Sequence, residues 1–217
     1  MSRSAFLREA AKGKNIVRVQ LFSALVDLFA REPWLAGEAD VLEIGSAPAS
    51  HQRAFPSAWR LTPSNAVPSR DVVLVFDADR TFPMADGAFD GVAFFNVIQA
   101  LREYERCLAE SIRVARRFVL LNSIHVSNIA RHPRDYNRLT EDRLAATLDE
   151  IGRAVPIEYR ILPLGGAFTS AVSLIDPYLR FRLFRFVANC TAAVLDRLDR
   201  LARWEAPLQY LVWVKKV

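Results

Sequence analysis

The chain has only two cysteines, Cys107 and Cys190, among 217 residues. They stand far apart with no histidine at ligand spacing, which argues against a disulfide framework or a cysteine-based zinc site and fits a reducing compartment. Both read as small buried apolar side chains. Histidine is just as scarce: His51, His125 and His132 are all there is. No Ser-His-Asp arrangement and no metal-ligand spacing accompanies them, so hydrolytic and metal chemistry find no support and no metal ligand is assigned. The longest uncharged stretch, 161–175, contains Pro163, Gly165 and Gly166. It falls short of the roughly 20 apolar residues that a membrane-spanning helix needs. Internal repeats and low-complexity tracts are absent.

What is present suits one globular domain with a substantial core: 52% of residues are hydrophobic and 24% charged. Arg3, Arg8, Lys12 and Lys14 precede an apolar stretch, the outline of a signal peptide. Gln20 and Asp27 interrupt that stretch, and its apolar residues recur at helical spacing. An amphipathic helix over 16–30 is therefore expected, with Val19, Phe22, Val26 and Phe29 on one face. The net charge of +5 is concentrated at the C-terminal end. From Tyr178 onward, six arginines and two lysines face only Asp196, Asp199 and Glu205, which accounts for the whole excess. Such a region calls for an acidic partner, either a membrane surface or a phosphorylated substrate.

Short apolar runs alternate with helical patterns along the chain. Strands are expected at 40–44, 59–61, 71–76, 91–96, 118–124, 157–162 and 208–214. The run Val72-Val73-Leu74-Val75 reads as a strand buried on both faces. Helical periodicity covers 101–116, through Tyr104, Leu108 and Ile112, and also 140–151. Thr140 is the expected N-cap of the second helix, and Gly152 its stop. A short helical piece fits 50–55, and a helix fits 178–201. This alternation argues for a parallel sheet covered on both sides.

The first strand ends in Val41-Leu42-Glu43-Ile44-Gly45-Ser46-Ala47-Pro48-Ala49-Ser50, an acidic residue followed by a loop of small ones. Strands hand over to nucleotide-binding turns in doubly wound sheets in this way. The stretch resembles the first motif of the class I S-adenosylmethionine-dependent methyltransferases, Glu-x-Gly-x-Gly-x-Gly. Further on, Asp77-Ala78 leads through Phe82-Pro83, Asp86 and Phe89-Asp90 to Asn96-Val97-Ile98. That order is similar to the small-molecule methyltransferase pattern D-A-x-x-L-P-F-x-D-x-S-F-D-x-V followed by N-V-L. Thr140 to Leu144 is similar to the family's x-T-x-x-x-L helix start. The resemblance covers roughly residues 40–160.

It implies a doubly wound, mostly parallel seven-stranded sheet with an antiparallel last strand and a helical insertion before it. The divisions are an N-terminal helix in 1–35, a cofactor-binding core in 40–160, a basic amphipathic insertion in 163–206 and a last strand in 207–217. It further implies S-adenosylmethionine as cofactor, held by Glu43, Gly45, Ser46, Ala47, Thr62, Asp77, Ala78 and Asn96. In the family's terms Glu43 holds the methionine amino end, and Gly45 lets backbone approach the ligand. Asp77 and Ala78 lie beside the adenine, and Asn96 lies where the methyl group is delivered. Asp90 is given a structural role in its loop.

The departures bear on whether the site works. Ala47 and Ala49 replace glycines, and Pro48 stiffens the turn. Thr62-Pro63-Ser64 matches the family's Asp-Pro-Ser, so Thr62 takes the place of the ribose-binding acid. Ala100 stands where many relatives carry a histidine. Each lost charge-assisted contact costs about 1–3 kcal/mol, and two move a micromolar site toward the millimolar range.

His125, directly after the fifth strand, is the candidate general base, weighed against a surface-loop histidine. His51 is expected in solvent. The helix from Tyr178 to Leu201, in the basic region that runs to Arg203, gathers Leu183, Val187, Cys190, Val194, Leu198 and Leu201 on one stripe. It reads as a cover helix docked on the sheet edge, or as an interfacial helix for an anionic membrane, since Phe181, Phe184 and Phe186 interleave with arginines. No nucleic-acid motif accompanies it.

The expected activity is methyl transfer to a small-molecule, sugar or lipid-linked acceptor. The expected location is cytoplasmic, including the inner face of a membrane. The alternative is an inactive methyltransferase-like protein acting as partner or scaffold. A Rossmann-type oxidoreductase fits less well, because the turn lacks that fingerprint's glycines too.

Overall fold

In the computed structural model, which describes residues 2–46, 50–125, 136–201 and 207–217, the apolar runs pair into one seven-stranded sheet. The strands are β1 (Ala39–Ile44), β2 (Trp59–Asn65), β3 (Leu74–Val75), β4 (Phe89–Phe94), β5 (Ala115–Ile124), β6 (Ile157–Leu164) and β7 (Gln209–Lys216). Their order across the sheet is β3-β2-β1-β4-β5-β7-β6. Strands β1 to β5 pair in parallel, whereas β7 runs antiparallel to both β5 and β6. The order reverses at β1, whose neighbours are β2 and β4. That is the crevice where open α/β sheets bind ligands, at the strands' carboxyl ends.

Helices α1 (Arg3–Ala11), α2 (Ile16–Arg31), α3 (Tyr104–Val114), α4 (Glu141–Gly152), α5 (Ala167–Ile175) and α6 (Arg182–Leu201) complete the chain. Their starts are written in the sequence. Asn15 caps α2 by accepting from the Arg18 amide, and Thr140 caps α4 by accepting from the Arg143 amide.

Alternation along the strands sends side chains to two cores. On one face Val92, Phe94, Val119 and Leu121 meet Leu108 and Ile112 of α3 and Leu144 of α4. On the other, Val41, Ala93, Phe118 and Leu120 meet Leu21, Leu25 and Leu28 of α2. A smaller cluster joins Phe6, Ala10, Ile16 and Val19 to Phe186, Cys190 and Ala193 of α6. Cys107 is buried, which pushes its thiol up to about 12, and Cys190 is half-buried.

Several expectations need correction. The 71–76 run is not a doubly buried strand. Only Leu74 and Val75 pair, at the sheet edge, and Val73 is 68% exposed. The connection through 66–73 contains no helix. Two short helices were not legible, α1 and α5. The first was read as a basic approach to α2, the second as an uncharged stretch. Gln20, which breaks the apolar run in the sequence, is buried. Among the described residues no helix is long and apolar enough to cross a membrane.

Gly91 of β4 is fixed by packing. A Cβ there would lie 2.3 Å from two ring atoms of Phe118, which is itself stacked on Trp59 at 5.3 Å. We expect Gly91→Ala to lower stability by about 1–3 kcal/mol, seen as a lower urea midpoint at unchanged slope. An unchanged midpoint would contradict this packing.

Candidate functional site at the carboxyl ends of β1, β2 and β4

At the end of β1 the chain turns through Gly45, with φ at +70°. A Cβ at this position would sit 2.4 Å from Val97 Cγ2. The glycine is therefore required by the neighbouring chain after β4, in addition to its backbone conformation. Glu43, just before it, is buried at 2% exposure. Its Oε2 accepts from the Ser46 hydroxyl at 2.8 Å and from Gln52 Nε2 at 2.7 Å. Ser46 is fixed from the β2 side: its amide donates to Ser64 O at 2.8 Å, and its carbonyl accepts from Asn65 Nδ2 at 3.1 Å. Ala47, with Pro48 and Ala49, lies outside the described residues, as does His132; the side chain of His51 is likewise outside them.

Thr62 is not at this site. The proline after it looked like the end of a strand, but β2 continues through Pro63 to Asn65, and Thr62 pairs with Leu42 in mid-strand. Ser64 pairs with Ile44, so Asn65 is the residue that reaches the β1 turn. A neutral amide stands there, where the resemblance implies an acid.

Asp77 follows β3 and is half-exposed. Its Oδ1 accepts from the Asp79 amide at 3.0 Å, and its Oδ2 lies 3.3 Å from Arg80 Nε. Ala78 is buried. Asp79 accepts from the amides of Arg102 and Glu103, both at 2.8 Å, fixing the segment before α3.

Much of the 77–90 pattern proves architectural. Arg113 of α3 donates to the carbonyls of Phe82 and Met84 and to Asp86, while Glu110 accepts from the Phe82 amide. The Arg113 guanidinium and the Phe82 amide together hold the Glu110 carboxyl below its ordinary range. Asp90 accepts from the Asp40 amide at 2.9 Å and from Arg116, tying β4 to β1.

Asn96 follows β4 with φ at +58°, a left-handed conformation that asparagine tolerates better than most residues. Its amide donates to Asn122 Oδ1 at 2.6 Å, and Asn122 Nδ2 donates back to Asn96 Oδ1 at 3.2 Å. The same Asn122 nitrogen donates to Gln209 Oε1 at 2.8 Å, and Gln209 Nε2 to Val17 O at 2.9 Å. A chain of amides thus runs from the crevice across β5 and β7 to the first turn of α2. Asn122 and Gln209 are fully buried.

His125 is not on the surface. Its ring meets Tyr210 edge-on at 5.5 Å, and its amide donates to Leu208 O. Burial lowers its pKa below the ordinary 6.5. It lines a cavity of about 1010 Å³ together with Gln20, Asp27, Glu141, Tyr210 and Asp196. Glu43, Asp77 and Asn96 do not line that cavity.

Solved structures resemble this fold over most of their length. A SAM-dependent methyltransferase from Aquifex aeolicus superposes with a TM-score of 0.55 at 12% identity, covering 97% of this chain and 98% of that one. A Burkholderia thailandensis 1,6-didemethyltoxoflavin-N1-methyltransferase, solved with 1,6-didemethyltoxoflavin and S-adenosylhomocysteine, gives 0.54 at 15% identity, covering 99% and 86%. The [4+2]-cyclase SpnF gives 0.56 at 18% identity, covering 89% and 80%. No family model and no curated protein matches the sequence. The chain has the class I S-adenosylmethionine-dependent methyltransferase fold. At these identities the likeness establishes the fold and leaves the chemistry to be argued from the site.

The buried imidazole has a pH consequence. The unfolded chain takes up a proton near pH 6.5, while folded His125 resists until lower pH. Stability therefore falls as acid is added through that window and levels off once the folded pKa is passed. We expect His125→Gln to lose less stability than the wild type between about pH 7 and about pH 5, measured by urea unfolding. Parallel losses in the two proteins would contradict the shift.

Proposed function

We propose that the chain binds S-adenosylmethionine in the crevice at the ends of β1, β2 and β4 and transfers its methyl group to a small-molecule acceptor. The observation that carries this reading is the buried Glu43 carboxylate beside left-handed Gly45, at the point where strand order reverses. The donor set fits the cofactor. Glu43, oriented by Ser46 and Gln52, would hold the methionine ammonium, and Asp77 with Ala78 the adenine. Asn65 is the proposed ribose contact in place of Thr62, and Ala47 remains a proposed loop contact. The cofactor supplies an electrophilic methyl group on a sulfonium. Asn96, held in one conformation by Asn122, would line the point of delivery.

The chain's contribution is alignment and exclusion of water. His125 stands three residues beyond Asn122, just past the end of β5, on the wall of the neighbouring cavity. Neutral at physiological pH, its imidazole nitrogen would take the proton that an acceptor O–H or N–H gives up. The acceptor is proposed to be a small molecule, sugar or lipid-linked precursor, met at an anionic membrane surface on the cytoplasmic side.

A second reading has an observation of its own. Asn65 offers the ribose one neutral amide, already bonded to Ser46 O, where a carboxylate would make two charge-assisted contacts. This favours a methyltransferase-like partner protein that has lost its cofactor. Calorimetric titration with S-adenosylmethionine and S-adenosylhomocysteine separates the two readings. The enzyme reading expects roughly micromolar binding, weakened at least about tenfold by Asp77→Ala or Glu43→Gln. Asn65→Asp should tighten it by about fivefold. No heat up to about millimolar ligand supports the partner reading instead.

A further inference from the structure

Helix α6 is amphipathic, and it is docked the opposite way round from a cover helix. Its inward face packs Phe186, Cys190 and Ala193 against α1 and α2 and otherwise carries polar anchors. Asn189 Nδ2 donates to Lys14 O at 3.0 Å, and Asp196 Oδ1 accepts from the amides of Phe168 and Thr169 at the start of α5. Ala192 is buried between them along the helix. Arg185 is turned inward as well, donating to Gly13 O and pairing with Asp176 at 3.0 Å.

Of the stripe expected to meet the sheet, Leu183, Val187 and Val194 face solvent. Tyr178, Phe181, Leu183, Phe184, Val187 and Val194 are between 51% and 81% exposed. Leu183, Val187 and Val194 are spaced by four and seven, so they share one side of the helix. Of the described stripe residues, Cys190 packs inward, in the cluster with Phe6 and Ala10. Leu198 and Leu201 have side chains outside the described residues.

A soluble face carrying this many aromatic and aliphatic side chains calls for an occupant. Its charge says which. Arg180, Arg182 and Arg197 are exposed beside the stripe. Both acidic side chains described between 176 and 197, Asp176 and Asp196, are engaged on the inner side. An apolar strip whose exposed charged neighbours, among the described residues of the helix and the turn before it, are arginines matches the boundary between anionic headgroups and acyl chains.

We infer that the outer face of α6, with the 178–181 turn before it, is a docking surface for an anionic phospholipid bilayer. This deepens the membrane-surface part of the function proposed above and rests on it only for its meaning, because docking requires neither cofactor nor acceptor. The connection to the site is direct. Ala193 and Asp196, on the inner side of the same helix, line the cavity that holds His125. Docking would set one wall of that cavity against the lipid from which a lipid-borne acceptor comes.

The test is flotation of the full chain with vesicles, in the absence of cofactor. One set is phosphatidylcholine alone, the other phosphatidylcholine mixed with phosphatidylserine. Wild type should float with the anionic vesicles and not with the neutral ones. Arg180→Gln with Arg197→Gln should weaken this roughly 25-fold, since each basic residue near such a surface is worth about fivefold. Phe184→Glu with Val187→Glu should abolish it. All four side chains are exposed, so the variants keep their fold, and unchanged urea midpoints verify that.

Sedimentation equilibrium without lipid guards against the competing occupant. A wild-type dimer that Phe184→Glu with Val187→Glu converts to monomer would overturn the proposal in favour of a second copy on this face. Equal flotation of wild type and variants, or none at all, would overturn it too. Calorimetry on the same samples keeps the outcomes apart: lost flotation with intact S-adenosylhomocysteine binding leaves the methyl-transfer reading standing.

Discussion

The carboxyl ends of β1 and β4 meet at Gly45 and Val97 with no room for one more carbon atom. The site depends on that contact. It sets the left-handed turn that carries the chain away from β1 and leaves Glu43 and Ser46 facing β2. It also fixes the chain just after Asn96, whose own left-handed conformation is held by the Asn122 amide. The crevice is thus formed by backbone at two adjacent strand ends, and its polar side chains are borne on those ends. Sites carried on strand ends keep their geometry better than sites on long loops.

From that contact, order spreads through buried amides. Asn122 and Gln209 satisfy each other and both ends of the chain that joins Asn96 to α2. Buried polar groups of this kind are costly when unpaired and specific when complete. They place the N-terminal helices in register with the sheet, and α1 and α2 in turn support α6. The polar inner face of α6 is used for capping α5 and for holding the 13–14 turn. Leu183, Phe184, Val187 and Val194 of that helix were consequently left outside.

The sequence made the strand ends legible because each apolar run stopped at a polar or acidic residue, as at Glu43, Asp77 and Asn96. The same rule misled at Thr62. Pro63 resembles a strand stop, yet a proline can remain in a strand where its missing donor is not needed, and the true end lay three residues on at Asn65. Gln52, Asn65, Asn122 and Gln209 carried no local signal. Their partners lie between 9 and 192 residues away, and only the pairing of strands brings them together. The direction of α6 was illegible for a related reason. Periodicity identifies an apolar stripe, whereas which side is covered depends on the hydrogen bonds that the opposite side can make. Nothing in the composition distinguished Asn189 and Asp196 as buried anchors from residues in water. Within the 77–90 pattern, Asp86 and Asp90 work by pinning backbone through Arg113, Arg116 and the Asp40 amide.

The central claim is that the crevice between β1 and β4 is a cofactor site, and hydrogen–deuterium exchange with and without S-adenosylhomocysteine tests it most directly. The account predicts slowed exchange in the amides of 43–46, 64–66, 77–79 and 96–97, with β6 unaffected. Protection confined to the cavity beside His125, or none with ligand at about millimolar concentration, would contradict it.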